Sequence, residues 1–117
     1  METKEEPRLI LGLIELVTLE NGRKYKAKID SGADSSSIDI SVLDKLGEKK
    51  TLSHKIIISA LGRHRRPTKM IEIELQGKKF KEKFTVSDRS NLKYKILIGQ
   101  DILKKEGFLI DPCKEEE

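Results

Sequence analysis

Between Asn21 and Ser37 the chain spells out a strand and then stops it abruptly. Tyr25, Ala27 and Ile29 alternate with Lys24, Lys26 and Lys28, which gives one apolar and one charged face, the period-two pattern of a half-buried strand. Asn21-Gly22 ahead of it is a hairpin-turn signal. Directly behind Ile29 comes Asp30-Ser31-Gly32-Ala33-Asp34-Ser35-Ser36-Ser37, a run of turn formers. A carboxylate set where a strand gives way to a tight glycine-containing turn is exposed yet held rigidly, as acid–base chemistry requires.

The remaining segments extend the β pattern. Leu9–Leu19 predicts a long strand, Ile38–Ile40 a short one, and Ser41–Leu46 one or two helical turns with Ser41 as N-cap and Gly47 as the stop. Lys55–Leu61 and Thr68–Leu75 predict strands joined by a basic turn, Gly62–Pro67. Gln76-Gly77 turns the chain into a strand at Lys79–Val86, and Ser87–Asn91 is a loop. Lys93–Ile98 predicts a strand ended by Gly99. Gln100–Glu106 predicts a short helix that stops at Gly107, and Phe108–Pro112 a last strand. Many short strands with tight turns point to an all-β domain, a small closed or half-closed barrel with one or two short helices. The expected organisation is a loose tail over residues 1–8, one domain over 9–112 and a flexible acidic tail over 113–117.

Composition narrows the function. Charged residues are 38% and hydrophobic residues 36% of the 117-residue chain, so the core must be compact and an oligomeric interface would help bury apolar surface. The net charge of +4 describes a mixed surface, not a nucleic-acid or membrane coat. The sole cysteine, Cys113, excludes an internal disulfide and multi-cysteine zinc sites. His54 and His64 lack metal-ligand spacing, and no glycine-rich phosphate loop occurs, so neither a metal nor a cofactor is expected. No apolar run approaches the ~18 residues of a membrane span, nor do the first residues read as an export leader. The expected location is the cytoplasm.

A second segment, Ile96-Leu97-Ile98-Gly99-Gln100-Asp101-Ile102-Leu103, makes the first more specific. Asp30-Ser31-Gly32-Ala33 resembles the Asp-Ser/Thr-Gly-Ala signature of retropepsin-like aspartic proteases, and the second segment resembles their later apolar-apolar-Gly-Arg-Asn/Asp-x-Leu run. Ser87-Asp88-Arg89-Ser90-Asn91-Leu92-Lys93-Tyr94 is similar to a narrower group, the small retropepsin-like proteins labelled ATP-dependent zinc proteases and associated with RimK-type ATP-grasp ligases. The resemblance implies an acid-protease barrel acting as a homodimer on peptides. Asp30 would be the catalytic carboxylate, with Ser31 bonding across the dimer axis and Gly32 allowing close approach. Ala33 and Asp34 would line the substrate. Gly99, Gln100 and Asp101 would pack behind the loop, and the hairpin around Leu61–Pro67 would be the flap.

Two departures stand out. Retroviral members carry Arg where this chain has Gln100, which leaves a neutral hydrogen bond to Asp34, or Arg89 as a second candidate partner. The expected flap tip, Gly62-Arg63-His64-Arg65-Arg66, is basic, which points to acidic, glutamate-rich peptides, and an ATP-grasp ligase that adds glutamates would be a fitting functional partner. Two other readings compete. One is a retropepsin-like module that has lost catalysis and serves dimerisation or binding. The other is a basic β-barrel gripping nucleic acid, against which stands the absence of aromatics near the basic turn.

Overall fold

The computed structural model describes residues 7–60 and 62–116; the expected N-terminal tail up to residue 6, the flap residue Leu61 and the terminal Glu117 lie outside the described residues. The order is β1 (Ile10–Leu11), β2 (Ile14–Leu19), β3 (Lys24–Ile29), β4 (Ser37–Asp39), α1 (Ile40–Asp44), β5 (Thr51–Ser59), β6 (Gly62–Leu75), β7 (Lys78–Ser87), β8 (Ile96–Ile98), α2 (Gln100–Glu106) and β9 (Leu109–Ile110).

One sheet runs β2-β3-β8-β4-β7-β6-β5, and β2 also pairs with β6, Val17 opposite Leu75 and Leu19 opposite Ile73. That pairing closes a ring of six strands and leaves β5 outside it. Closure removes the free edges on which short strands aggregate. The alternation in β3 holds: Ala27 and Ile29 are buried and Lys24, Lys26 and Lys28 exposed. They meet Val17, Ile71, Ile73, Phe84, Ile96 and Ile98 in one core, so the all-β barrel with two short helices is the fold.

Several element boundaries differ from expectation. Leu9–Leu19 is two strands, because Gly12 and Leu13 break the run: the Gly12 N–H turns to the Glu15 carboxylate at 2.6 Å. β1 instead pairs in parallel with β9, Ile10 opposite Leu109. Lys114 fixes this corner, donating to the Ile10 carbonyl at 2.8 Å and meeting Glu15 Oε2 at 3.2 Å. The N-cap of α1 is Asp39, not Ser41, since its side chain accepts the Ser41 N–H. Gly107 ends α2 in the left-handed conformation, φ 71°, as its position predicts.

The largest difference is at the basic run. Gly62–Pro67 is strand, not turn: Ile58 lies opposite Arg63, Ile56 opposite Arg65 and Lys55 opposite Arg66. β6 pairs with β7 only from Thr68 onward, so the outer half of the β5–β6 hairpin projects beyond the ring. Gly62, Arg63, His64 and Arg65 are all exposed, so this stretch of β6 carries no apolar–polar alternation from which to read it.

Candidate functional site

β3 delivers Asp30 to the end of the barrel. Its N–H donates to the Ile98 carbonyl at 2.9 Å, which extends the parallel β3–β8 ladder by one rung. The turn then closes on itself. The Ala33 N–H reaches the Asp30 carbonyl at 3.2 Å, and the Gly32 N–H reaches Asp30 Oδ1 at 2.9 Å. The carboxylate is half-buried while Ser31 and Gly32 are exposed. One oxygen is thus committed to orienting the side chain, and Oδ2 accepts no hydrogen bond among the described residues. A Cβ on Gly32 would stand 3.3 Å from Oδ1, so glycine lets the carboxylate lie against its own turn.

The β8–α2 junction braces this loop from behind. Gln100 donates its backbone N–H to the Ala33 carbonyl at 2.8 Å and its side-chain Nε2 to the Ser31 carbonyl at 2.6 Å. Ser36 is fully buried and acts as a three-way node. Its Oγ accepts the Gly99 N–H at 2.9 Å and donates to Asp101 Oδ1 at 2.7 Å, and its N–H meets both Asp101 oxygens at 3.1 Å. Charge-assisted bonds of this kind are the strong ones, and they fasten residues 30–37 to the first turn of α2. Gly99 sits so close that a Cβ would lie 2.8 Å from the Ala33 carbonyl oxygen.

The expected partners of Asp34 are corrected here. Gln100 bonds Ser31 rather than Asp34, and Arg89 is turned elsewhere; Asp34 is exposed. Arg89 is only 9% exposed, its Nε donating to the Tyr94 carbonyl at 2.9 Å and its backbone N–H to Asp39 Oδ1 at 2.5 Å. Asp39 also takes the Ser41 N–H at 3.1 Å and the Ser41 hydroxyl. Burial alone would raise its pKa, but the Ser41 and Arg89 hydrogen bonds and nearby Lys95 bring it below the ordinary carboxylate range. The loop over residues 88–95 is thereby tied to β4 and α1.

A depressed folded-state pKa stabilises the fold fully above the unfolded value near ~4 and is lost as pH falls through the folded value. Asp39→Asn is therefore expected to cost about 1–3 kcal/mol at pH 7. The gap between variant and parent should narrow as pH falls below the ordinary carboxylate range, in urea titrations at neutral and at acid pH. A gap independent of pH would remove this assignment.

The hairpin of β5 and β6 carries the other expected site residues, Gly62, Arg63, His64 and Arg65. Gly62 opens β6 with φ 117°, next to the tip. Cross-strand neighbours share a face, which sorts the arm in two. Ile56 and Ile58 lie with Arg63 and Arg65, all exposed, and Ile58 is 76% exposed. Lys55 and Ile57 lie with His64 and Arg66, and of these Lys55, Ile57 and Arg66 are half-buried. His54 and His64 fall on opposite faces, His54 Nδ1 lying 3.4 Å from Arg65 Nη2. Among the described residues no three of His, Cys, Asp and Glu converge as metal ligands would.

Sequence reasoning missed Ser36 and Asp39, took Arg66 only as one cation of the basic flap tip, and gave Arg89 another task. Nothing local separates Ser36 from Ser35 or Ser37, since its partner Asp101 is 65 residues away.

A closed six-stranded barrel with Asp-Ser-Gly-Ala at a strand end, a glycine segment braced behind it and a projecting hairpin defines the acid-protease class of β domain. The family model described as retroviral aspartyl protease matches residues 12–111, and the chain belongs to that family. No curated protein sequence matches. Among solved structures it is similar to a Legionella pneumophila protein, Lpg0085, of unknown function (DUF785), at TM-score 0.68 and 20% identity, covering 94% of this chain and 98% of that one. The EIAV protease complexed with an inhibitor gives 0.66 and 20%, covering 92% and 96%. The simian foamy virus protease gives 0.60 and 19%, covering 78% and 91%. At these identities the likeness concerns the fold.

Proposed function

We propose that the protein is an aspartic endopeptidase that works as a homodimer, with Asp30 of each chain supplying half of the catalytic pair. The observation that carries this is the Asp30 carboxylate itself, held by its own turn, braced from behind, and left with one oxygen open at the exposed lip of the barrel. Amide hydrolysis needs a base to activate water and an acid for the leaving nitrogen. Two carboxylates ~3 Å apart cannot both ionise, so they share a proton and fill both roles. Each chain carries a single Asp-Ser-Gly loop. A two-fold axis brings the same residue from a second copy opposite the first. Exposed Leu13, whose carbonyl holds the Ile29 N–H, is apolar surface beside the loop for such an interface to cover. Ser31 would bond across the axis.

The reading extends to substrate and relatives. The cationic hairpin favours an acidic, glutamate-rich peptide. On the resemblance of residues 87–94 alone, the proposal extends to a functional link with RimK-type ATP-grasp ligases and to a cytoplasmic location.

Sedimentation of the purified chain should give a dimer, and the dimer should cleave extended peptides at undiminished rate in excess chelator. A monomer at every concentration, or activity that chelators abolish, would overturn the proposal; the first outcome leaves a binding module, the second a metal enzyme.

A further inference from the structure

The hairpin holds its cations in two different settings, and only one of them has a counterpart across the cleft. Arg63 and Arg65 stand on the exposed face, where a charge is largely screened. Arg66 is half-buried on the other face. Thr68 pairs with Thr85, and β7 ends at Ser87, so Arg66 stands at the level where β7 gives way to the loop bearing Arg89. Arg89 is nine-tenths buried and aimed by its Nε bond to the Tyr94 carbonyl.

Neither terminal nitrogen of Arg89 has a hydrogen-bond partner among the described residues, and no carboxylate there forms an ion pair with Arg66 or Arg89. Burial lowers the pKa of Arg89; Asp39 and Asp30 sustain its charge, whereas Arg66 opposes it. Arg89 thus senses both the carboxylate at the barrel lip and the cation on the hairpin. With Arg66 level with the end of β7 and Arg89 two residues beyond it, an anion lying between the two guanidinium groups would offset their mutual repulsion.

We propose that Arg66 and Arg89 form a carboxylate-binding subsite beside Asp30, which recognises an anionic group of the bound peptide. This rests on the peptidase reading for its ligand and goes beyond it in moving selectivity from the exposed Arg63–Arg65 run to the inner pair. A guanidinium fork matches a carboxylate in two parallel hydrogen bonds. The carboxylate could come from a glutamate or aspartate side chain or from a peptide's own C-terminus, chemically the same ligand.

The test measures binding in the Asp30→Asn protein, so that no peptide is consumed. The probes are fluorescein-labelled hexapeptides alternating Ala with Glu or Ala with Gln, each with a free or an amidated C-terminus, followed by anisotropy. The expected result is that a carboxylate strengthens binding about tenfold or more, consistent with one charge-assisted pair. Arg66→Gln and Arg89→Gln should each bring that preference down to about two- to threefold on the same scale, while Arg63→Gln preserves it. If Arg89→Gln does not fold, Arg66→Gln carries the test alone. An advantage seen only with a free terminus on the Gln peptide identifies the terminal carboxylate; one that survives amidation of the Glu peptide identifies the side chain. Equal binding of all four peptides, or equal losses in Arg63→Gln and Arg66→Gln, would overturn the subsite. Hydrolysis of the neutral peptide by the unmodified protein is read separately. Cleavage without a carboxylate preference removes the subsite and spares the peptidase, and preference without any cleavage does the reverse.

Discussion

Asp30→Asn is expected to slow peptide hydrolysis by at least about 10³-fold, the scale on which a positioned acid–base group acts, while melting unchanged within the range of a neutral substitution. The reason lies in how the side chain is used. Asn keeps an Oδ1 to accept the Gly32 N–H now found at 2.9 Å, so the turn loses no orienting bond. What disappears is the ability to hold and release a proton. In a symmetric pair the change removes both carboxylates together, leaving neither a base for water nor an acid for the leaving nitrogen. The measurement is kcat/KM on an extended peptide beside a thermal melt. Full activity with an intact fold would strip Asp30 of its assigned role.

Gly99→Ala should damage the fold itself. Its Cβ would stand 2.8 Å from the Ala33 carbonyl oxygen and 2.9 Å from the Ser35 carbonyl carbon and oxygen. These are backbone atoms of the very loop that carries Asp30, and they cannot rotate aside. Making room means separating that loop from the β8–α2 junction, which strains the Gln100–Ala33 bond and the Ser36–Asp101 node together. A cost of about 3 kcal/mol or more is expected, which lowers Tm by about 10 °C or more in a domain this size. Activity should fall even below the melting transition. Gly32→Ala makes a useful contrast, because its Cβ meets only the Asp30 side-chain oxygen at 3.3 Å, a contact that a χ rotation relieves. If Gly99→Ala melts like the parent, the brace is not where the geometry puts it.

What could be read from the sequence was what short-range physics writes there. The β3 alternation, the Asn21-Gly22 and Gln76-Gly77 turns and the Gly107 stop each depend on neighbours a few residues away, and each appears as expected. The place of Asp30 at a strand end was legible for the same reason. The Gly62–Pro67 run was misread because its charged residues carry no apolar–polar alternation, so its strand character comes from pairing with β5 and not from any pattern of its own. Ser36 and the shifted partners of Gln100 and Arg89 depend on contacts between distant segments, which single-residue preferences cannot encode. Asp39 was passed over as a cap because Ser41, two positions on, is an equally good capping residue.

The β5–β6 arm exchanges neighbours at Thr68: inward of it β6 belongs to the ring, outward it has β5 alone. Swinging the arm therefore breaks none of the hydrogen bonds that close the barrel. Opening for a guest and coming apart are separate events with separate barriers. Evolution can retune the outer arm for a new peptide, its length or its charge included, with little risk to the integrity of the cylinder beneath it.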